Sequence, residues 1–265
     1  MKKGLLYKSR VEYADFCINH IEGCSHGCRF PCYAMIMSKR FGKTKDYNDW
    51  LKPKIVKNAL ELLDEEIPKY KDQINFVHLS FMTDPFMYKQ PEVQQLTLKI
   101  IEKLNQNNIK CTTLTKGVYP RVLEDTEKYG NNNEYGITLI SLDNKFKKRY
   151  EPYSSPYQER INSLRYLHNA GLKTWVSIEP YPTPNLLQQD LRELLKAVSF
   201  VDKVIFGKLN YNTQSTLFKD NEAFYEECAE EVIRFCRNRG INYHIKFGTQ
   251  KTYNKKTAVI FEQNL

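Results

Sequence analysis

Cys24, Cys28 and Cys32 lie in the segment GCSHGCRFPCYA, with three residues between successive thiols. A spacing of four aligns side chains on one helix face. Here, however, Gly23 and Gly27 weaken a helix, and Pro31 removes a backbone donor and clashes with the preceding turn. A loop is therefore expected. A glycine-containing loop lets the backbone wrap a compact object while three sulfurs reach it, as the separate irons of a cubane iron-sulfur cluster require. Structural zinc is the rival, with His26 or His20 as a fourth ligand, although zinc sites usually repeat a close cysteine pair farther along the chain. No such pair follows, because Cys111, Cys228 and Cys236 are dispersed. A loop holding no metal is the third reading.

From about residue 75 onward, short apolar runs alternate with longer amphipathic segments, the pattern of repeated β/α units with parallel strands. Strands are expected at Asn75–Ser80, Ile109–Thr115, Tyr135–Ser141, Lys173–Ile178, Lys203–Gly207 and Asn242–Phe247, with an earlier one at Arg10–Ile18. Helices are expected at Pro91–Asn107, with Val93, Leu96, Ile100 and Leu104 on one face, and at Ser155–Ala170, with Ile161, Leu164 and Leu167. A further helix over Asn221–Arg239 has glutamates early and arginines late, which suits its dipole. Gly171 and Gly240 stop the last two. Shorter helical stretches fall near Ala34–Arg40 and Ile55–Glu66. Nothing marks a domain boundary, so residues 1–265 read as a single α/β domain of about six or seven β/α units.

These elements bring polar residues to strand ends, where a barrel of parallel strands places its chemistry. The segments HLSFMTDPF, TLTKG, ITLISLDNKFKKRYEP and WVSIEPYPTP end four successive strands. Together with GCSHGCRFPCYA, they make the chain from about Asn19 to Lys208 resemble the radical S-adenosylmethionine superfamily, in the branch similar to spore photoproduct lyase. The cysteine segment has one more residue between its second and third thiols than the usual signature of that group.

The resemblance implies a partial parallel (β/α)6 barrel. It also implies a 4Fe-4S cluster on Cys24, Cys28 and Cys32, whose open iron chelates S-adenosylmethionine, and an external electron donor. Reductive cleavage of the cofactor would give a 5′-deoxyadenosyl radical that abstracts hydrogen from a substrate. Cofactor contacts are then expected from Phe30, Ser80, Lys116, Ser141, Arg160 and Glu179, with Glu151 and Arg160 ordering a loop or meeting the cofactor carboxylate. Each has a plainer alternative: a capping serine, an ordinary helix pair, a solvated lysine or acid. Lys208 and Asn210, two apart on one strand face, and Lys246 on the next strand are expected to read the substrate. Tyr33 and Tyr211 are the catalytic candidates, as phenols able to relay a hydrogen atom, though among 18 tyrosines packing is the ordinary role.

A formal net charge of +9 suits a polyanionic partner, and together with the resemblance it makes a nucleic acid or nucleotide the expected substrate class. The alternatives are a peptide or small metabolite, with the lysine surplus incidental, and a non-catalytic zinc module that binds nucleic acid. No apolar run reaches the roughly 18 residues of a membrane span, and the first residues lack a secretory apolar stretch. No membrane association and a cytoplasmic location are expected.

Overall fold

The computed structural model describes residues 3–9 and 14–250. Ten strands are present among them: β1 (Leu6–Lys8), β2 (Phe16–Ile18), β3 (Ile21–Glu22), β4 (Lys54–Ile55), β5 (Phe76–Leu79), β6 (Lys110–Thr115), β7 (Glu134–Thr138), β8 (Lys173–Tyr181), β9 (Lys203–Lys208) and β10 (Asn242–Ile245). The helices are α1 (Tyr33–Arg40), α2 (Tyr47–Trp50), α3 (Ala59–Tyr70), α4 (Pro91–Gln106), α5 (Thr126–Tyr129), α6 (Asn144–Tyr150), α7 (Tyr157–Asn169), α8 (Leu191–Ala197), α9 (Thr213–Thr216) and α10 (Asn221–Arg237).

The main sheet has eight strands in the order β1-β2-β5-β6-β7-β8-β9-β10. Only β1 runs antiparallel, against β2, and the other pairings are parallel. Six helical crossovers link successive parallel strands from β2 to β10, giving the expected partial (β/α)6 barrel with a closing parallel strand. Strand order following chain order is what short right-handed β/α connections produce.

The helices form where the apolar period predicts. Pro91 opens α4 at a position where its missing N–H loses nothing, Ile100, Ile101 and Leu104 are buried in the main core, and Val93 is buried with Ile21 and Met87. Each such side chain contributes about 1.5–3 kcal/mol of apolar burial. α7 buries Ile161, Leu164 and Leu167, and Gly171 follows it at φ +82, a left-handed conformation that glycine adopts without a Cβ penalty. α10 buries Cys228 and Cys236, which act there as small core residues.

Two boundaries move. Residues 10–13 of the predicted strand Arg10–Ile18 lie outside the described residues, and its end forms β2. The helix expected over Ile55–Glu66 begins at Ala59, because Ile55 instead pairs with Ile21 in the small β3-β4 ribbon beside the cysteine loop.

His78 of β5 is buried, and burial pulls its pKa from 6.5 down to about 3. The folded protein holds this ring neutral while the unfolded chain protonates it below pH 6.5, so its contribution to stability is complete above that pH and is lost on acidification. Between pH 6.5 and 5 the loss should be roughly 2 kcal/mol. Urea titrations across this range should show that slope in the wild type and a flatter one in His78→Gln. Asp84 and Glu151, with pKa values below the ordinary carboxylate range, enter only at lower pH.

Candidate active site

The cysteine segment is a loop. Gly23 and Gly27 take φ values of +80 and +60, and a Cβ on Gly27 would lie 2.7 Å from the Tyr47 hydroxyl and 2.8 Å from Leu51 Cδ2. The loop is anchored through its backbone: the Cys24 N–H donates to Trp50 O at 2.8 Å, the Arg29 N–H to Tyr150 O at 2.8 Å, and the Tyr153 N–H to His26 O at 3.3 Å. Cys24, Cys28 and Cys32 are half-buried and line one cavity of about 460 Å³.

The opposite wall is made from the carboxyl ends of the strands. Ser80 follows β5, Lys116 follows β6, Thr138 ends β7, Glu179 lies on β8, Lys208 ends β9 and Lys246 follows β10, and all six line this cavity. Phe30, Tyr33, Asn210 and Tyr211 complete much of the remainder. Ser80 adopts φ 62, and its hydroxyl lies 3.3 Å from His20 Nδ1. His20 Nε2 is 2.8 Å from the Thr97 hydroxyl, which donates to Pro85 O at 2.6 Å. Thr97 can then accept only from a protonated Nε2, which leaves Nδ1 to accept from Ser80.

Lys116 is the charged centre of the site. Its Nζ lies 3.6 Å from Cys28 Sγ, 2.6 Å from Glu151 Oε1 and 5.7 Å from the centre of the Phe30 ring. Burial opposes the ammonium charge, but the Cys28 sulfur and the Glu151 carboxylate outweigh it and raise the lysine pKa. Burial pushes the Cys28 thiol up to about 12, with Lys116 acting in the opposite direction. Taking up a metal there therefore requires the Cys28 thiol to give up its proton.

Glu151 is in turn held by Arg160, whose Nη2 lies 3.4 Å from Glu151 Oε2. The guanidinium is fully buried and donates to Thr138 O at 2.5 Å, Ser154 Oγ at 3.0 Å and Ser155 O at 3.1 Å. Arg160 is absent from the cavity lining, as is Ser141, whose hydroxyl accepts from the Asp143 N–H at 2.9 Å. Arg160 and Ser141 thus stand outside the cavity: Arg160 holds Glu151, which pairs with Lys116, and Ser141 serves the turn before α6.

Asp84 and His26 belong to the site although residue type alone did not single out their roles. Asp84 is buried and accepts from the Phe86 N–H at 2.9 Å, the Thr115 hydroxyl at 2.6 Å and the Lys116 N–H at 2.7 Å. Its Oδ2 also lies 3.3 Å from His26 Nδ1. His26 Nε2 accepts from the Tyr88 N–H at 2.9 Å, which puts the ring proton on Nδ1, toward Asp84. Burial opposes the Asp84 charge, yet His26 and these donors hold its pKa below the ordinary range. One carboxylate thereby fixes the cysteine loop to the end of β6. Asp84→Asn should turn an amide donor against these donors, costing about 1–3 kcal/mol in urea denaturation, with reduced metal retention on gel filtration.

At the cavity, Tyr33 and Tyr211 face each other with ring centres 6.3 Å apart and planes 27° from parallel, and they remain 43% and 72% exposed. Glu179 Oε2 lies 3.2 Å from Lys246 Nζ.

A parallel β/α barrel that collects three loop thiols with a strand-end serine, lysine and glutamate defines a class that the family comparison names. The profile of the radical SAM superfamily matches residues 18–198, and the chain belongs to that superfamily, which implies S-adenosylmethionine and an iron-sulfur cluster as cofactors. An uncharacterized protein of the Acidianus two-tailed virus is 27% identical over 190 residues, covering 68% of this chain and 60% of that protein. An uncharacterized protein of Methanocaldococcus jannaschii is 26% identical over 174 residues, covering 65% and 62%. The match thus spans less than two thirds of either relative. Among solved structures, spore photoproduct lyase complexed with dinucleoside spore photoproduct shares the fold with a TM-score of 0.66 at 13% identity, over 92% of this chain and 79% of that one. SuiB of Streptococcus suis bound to S-adenosylmethionine has a TM-score of 0.50 at 15% identity, over 69% and 41%.

Proposed function

We propose that this chain is a radical S-adenosylmethionine enzyme that binds a 4Fe-4S cluster through Cys24, Cys28 and Cys32 and acts on a nucleic acid or nucleotide. The observation that carries the reading is the single cavity shared by the three thiols and by Ser80, Lys116 and Glu179 at the strand ends. The donor set fits a cubane, whose irons each take a different thiolate. Among the described residues, no three His, Cys, Asp or Glu side chains gather as a site for one metal ion. The ring nitrogens of His20 and His26 are also engaged with Ser80, Thr97, Tyr88 and Asp84, which disfavours either as a fourth zinc ligand.

Cys24, Cys28 and Cys32 would hold the cluster, which would supply the electron for reductive cleavage of S-adenosylmethionine. The chain's own residues do the placing. Lys116, fixed by Glu151, offers a point charge to a carboxylate in the cavity. The Ser80 hydroxyl and the Phe30 ring border the same space. Tyr33 and Tyr211 are the candidate hydrogen relays, and their facing rings suit a planar base, with Lys208 available to phosphate. The fold shared with a lyase complexed with a dinucleoside photoproduct supports this substrate class.

The test is anaerobic loading with iron and sulfide, then reduction with S-adenosylmethionine and measurement of 5′-deoxyadenosine. A loaded protein that forms none refutes the enzyme reading. Salt-dependent gel shifts with DNA and RNA test the substrate class, and no binding at low salt refutes it in favour of a peptide or small metabolite.

A further inference from the structure

α6 has two faces of opposite character. Inward, Phe146 and Tyr150 are buried with Phe30, and Cys28 packs against this aromatic group. The Phe30 and Tyr150 rings are stacked, 5.0 Å apart and 13° from parallel. Outward, Lys145, Lys148 and Arg149 are exposed, and none forms an ion pair among the described residues. The Arg149 guanidinium lies 5.2 Å from the centre of the Tyr150 ring. Arg29, whose N–H bonds to Tyr150 O, is exposed on the adjoining loop. Tyr153 stands beside it, 52% exposed, over Gly27.

This is an aromatic anchor within a basic rim, the composition of a docking surface rather than of a solvated helix face. It lies at the cysteine loop, where Cys28 packs against the Phe30, Phe146 and Tyr150 rings. Tyr33 and Tyr211, the exposed pair at the cavity, lie outside this aromatic group. Four positive groups without carboxylate partners among the described residues favour an acidic protein and speed its encounter.

Resting on the cluster assignment above, we infer that this face docks an acidic one-electron carrier protein, which reduces the cluster through Tyr150 and Phe30. In each encounter the carrier loses one electron and the cluster gains it, with no bond made or broken.

The experiment uses cluster-loaded protein and a reduced flavodoxin, an acidic flavoprotein, with bleaching of the cluster absorbance followed by stopped flow. The triple variant Lys145→Glu, Lys148→Glu, Arg149→Glu should be reduced at least tenfold more slowly by flavodoxin. Dithionite should reduce it within twofold of the wild-type rate, and iron and sulfide content should be unchanged. Added salt should slow the flavodoxin reaction of the wild type and leave that of the variant nearly unaffected. A control carrying Lys57→Glu, Lys173→Glu and Lys219→Glu, with the same change in net charge, should keep the wild-type rate. An equal loss in the control, or an unchanged flavodoxin rate in the loaded triple variant, overturns this inference alone. So does loss of DNA or RNA binding by a triple variant that flavodoxin still reduces normally, which would assign the face to nucleic acid. A wild-type protein that takes up no iron overturns the cluster assignment, and this inference with it.

Discussion

Cys24→Ala, Cys28→Ala and Cys32→Ala should each bring bound iron and sulfide, after anaerobic loading, close to background, and 5′-deoxyadenosine formation below detection. Two thiolates leave a second iron without a protein ligand, and a cluster held at only two corners is readily lost to solvent or chelator. Cys228→Ala is the matched control. That thiol is buried on α10, far from the loop in sequence, and its loss should cost stability without changing iron content. Equal iron in the Cys28→Ala variant and the wild type would remove Cys28 from the ligand set. Loss of iron in Cys228→Ala alone would reverse the assignment.

Arg160→Met should destabilise the protein by about 3–5 kcal/mol in urea denaturation, the usual consequence of removing one partner from a buried ion pair. Glu151 would keep Lys116, but the carbonyls of Thr138 and Ser155 and the hydroxyl of Ser154 would lose their donor. Lysine at 160 should rescue poorly, because a single ammonium does not reproduce the planar fork that reaches these groups together. Combining Arg160→Met with Glu151→Gln should cost less than the sum of the two changes by about 1–3 kcal/mol, since the second also removes the carboxylate that the first leaves with one cation in place of two. Simple additivity would mean that the two residues do not act as a unit.

Much of the scaffold was legible because burial leaves a periodic trace. Val93, Ile100 and Leu104 announce α4, and brief β-branched runs announce β5 to β10. The loop character of the cysteine segment was readable from Gly23, Gly27 and Pro31, whose backbone constraints are intrinsic. The strand-end positions of Ser80 and Lys116 followed from where the runs stop.

The supporting network was less legible. Asp84 pairs with His26, 58 positions earlier in the chain, and an interaction of that span leaves no local pattern. Arg160 shows why residue type misleads: a helical arginine is ordinarily solvated, and only the fold reveals that α7 turns this one inward onto Glu151. Ile55 carries a similar lesson, because its apolar side chain fits a helix start as well as the two-residue ribbon it joins.

The longer spacing between Cys28 and Cys32 is fastened to α6, through the Arg29 N–H to Tyr150 O and through the Phe30 ring against Phe146 and Tyr150. Loop length and the aromatic pair of α6 should therefore be inherited together. Grafting this segment onto a relative with the shorter spacing should succeed only when Phe146 and Tyr150 travel with it, so the unit of exchange spans two pieces of chain more than a hundred residues apart.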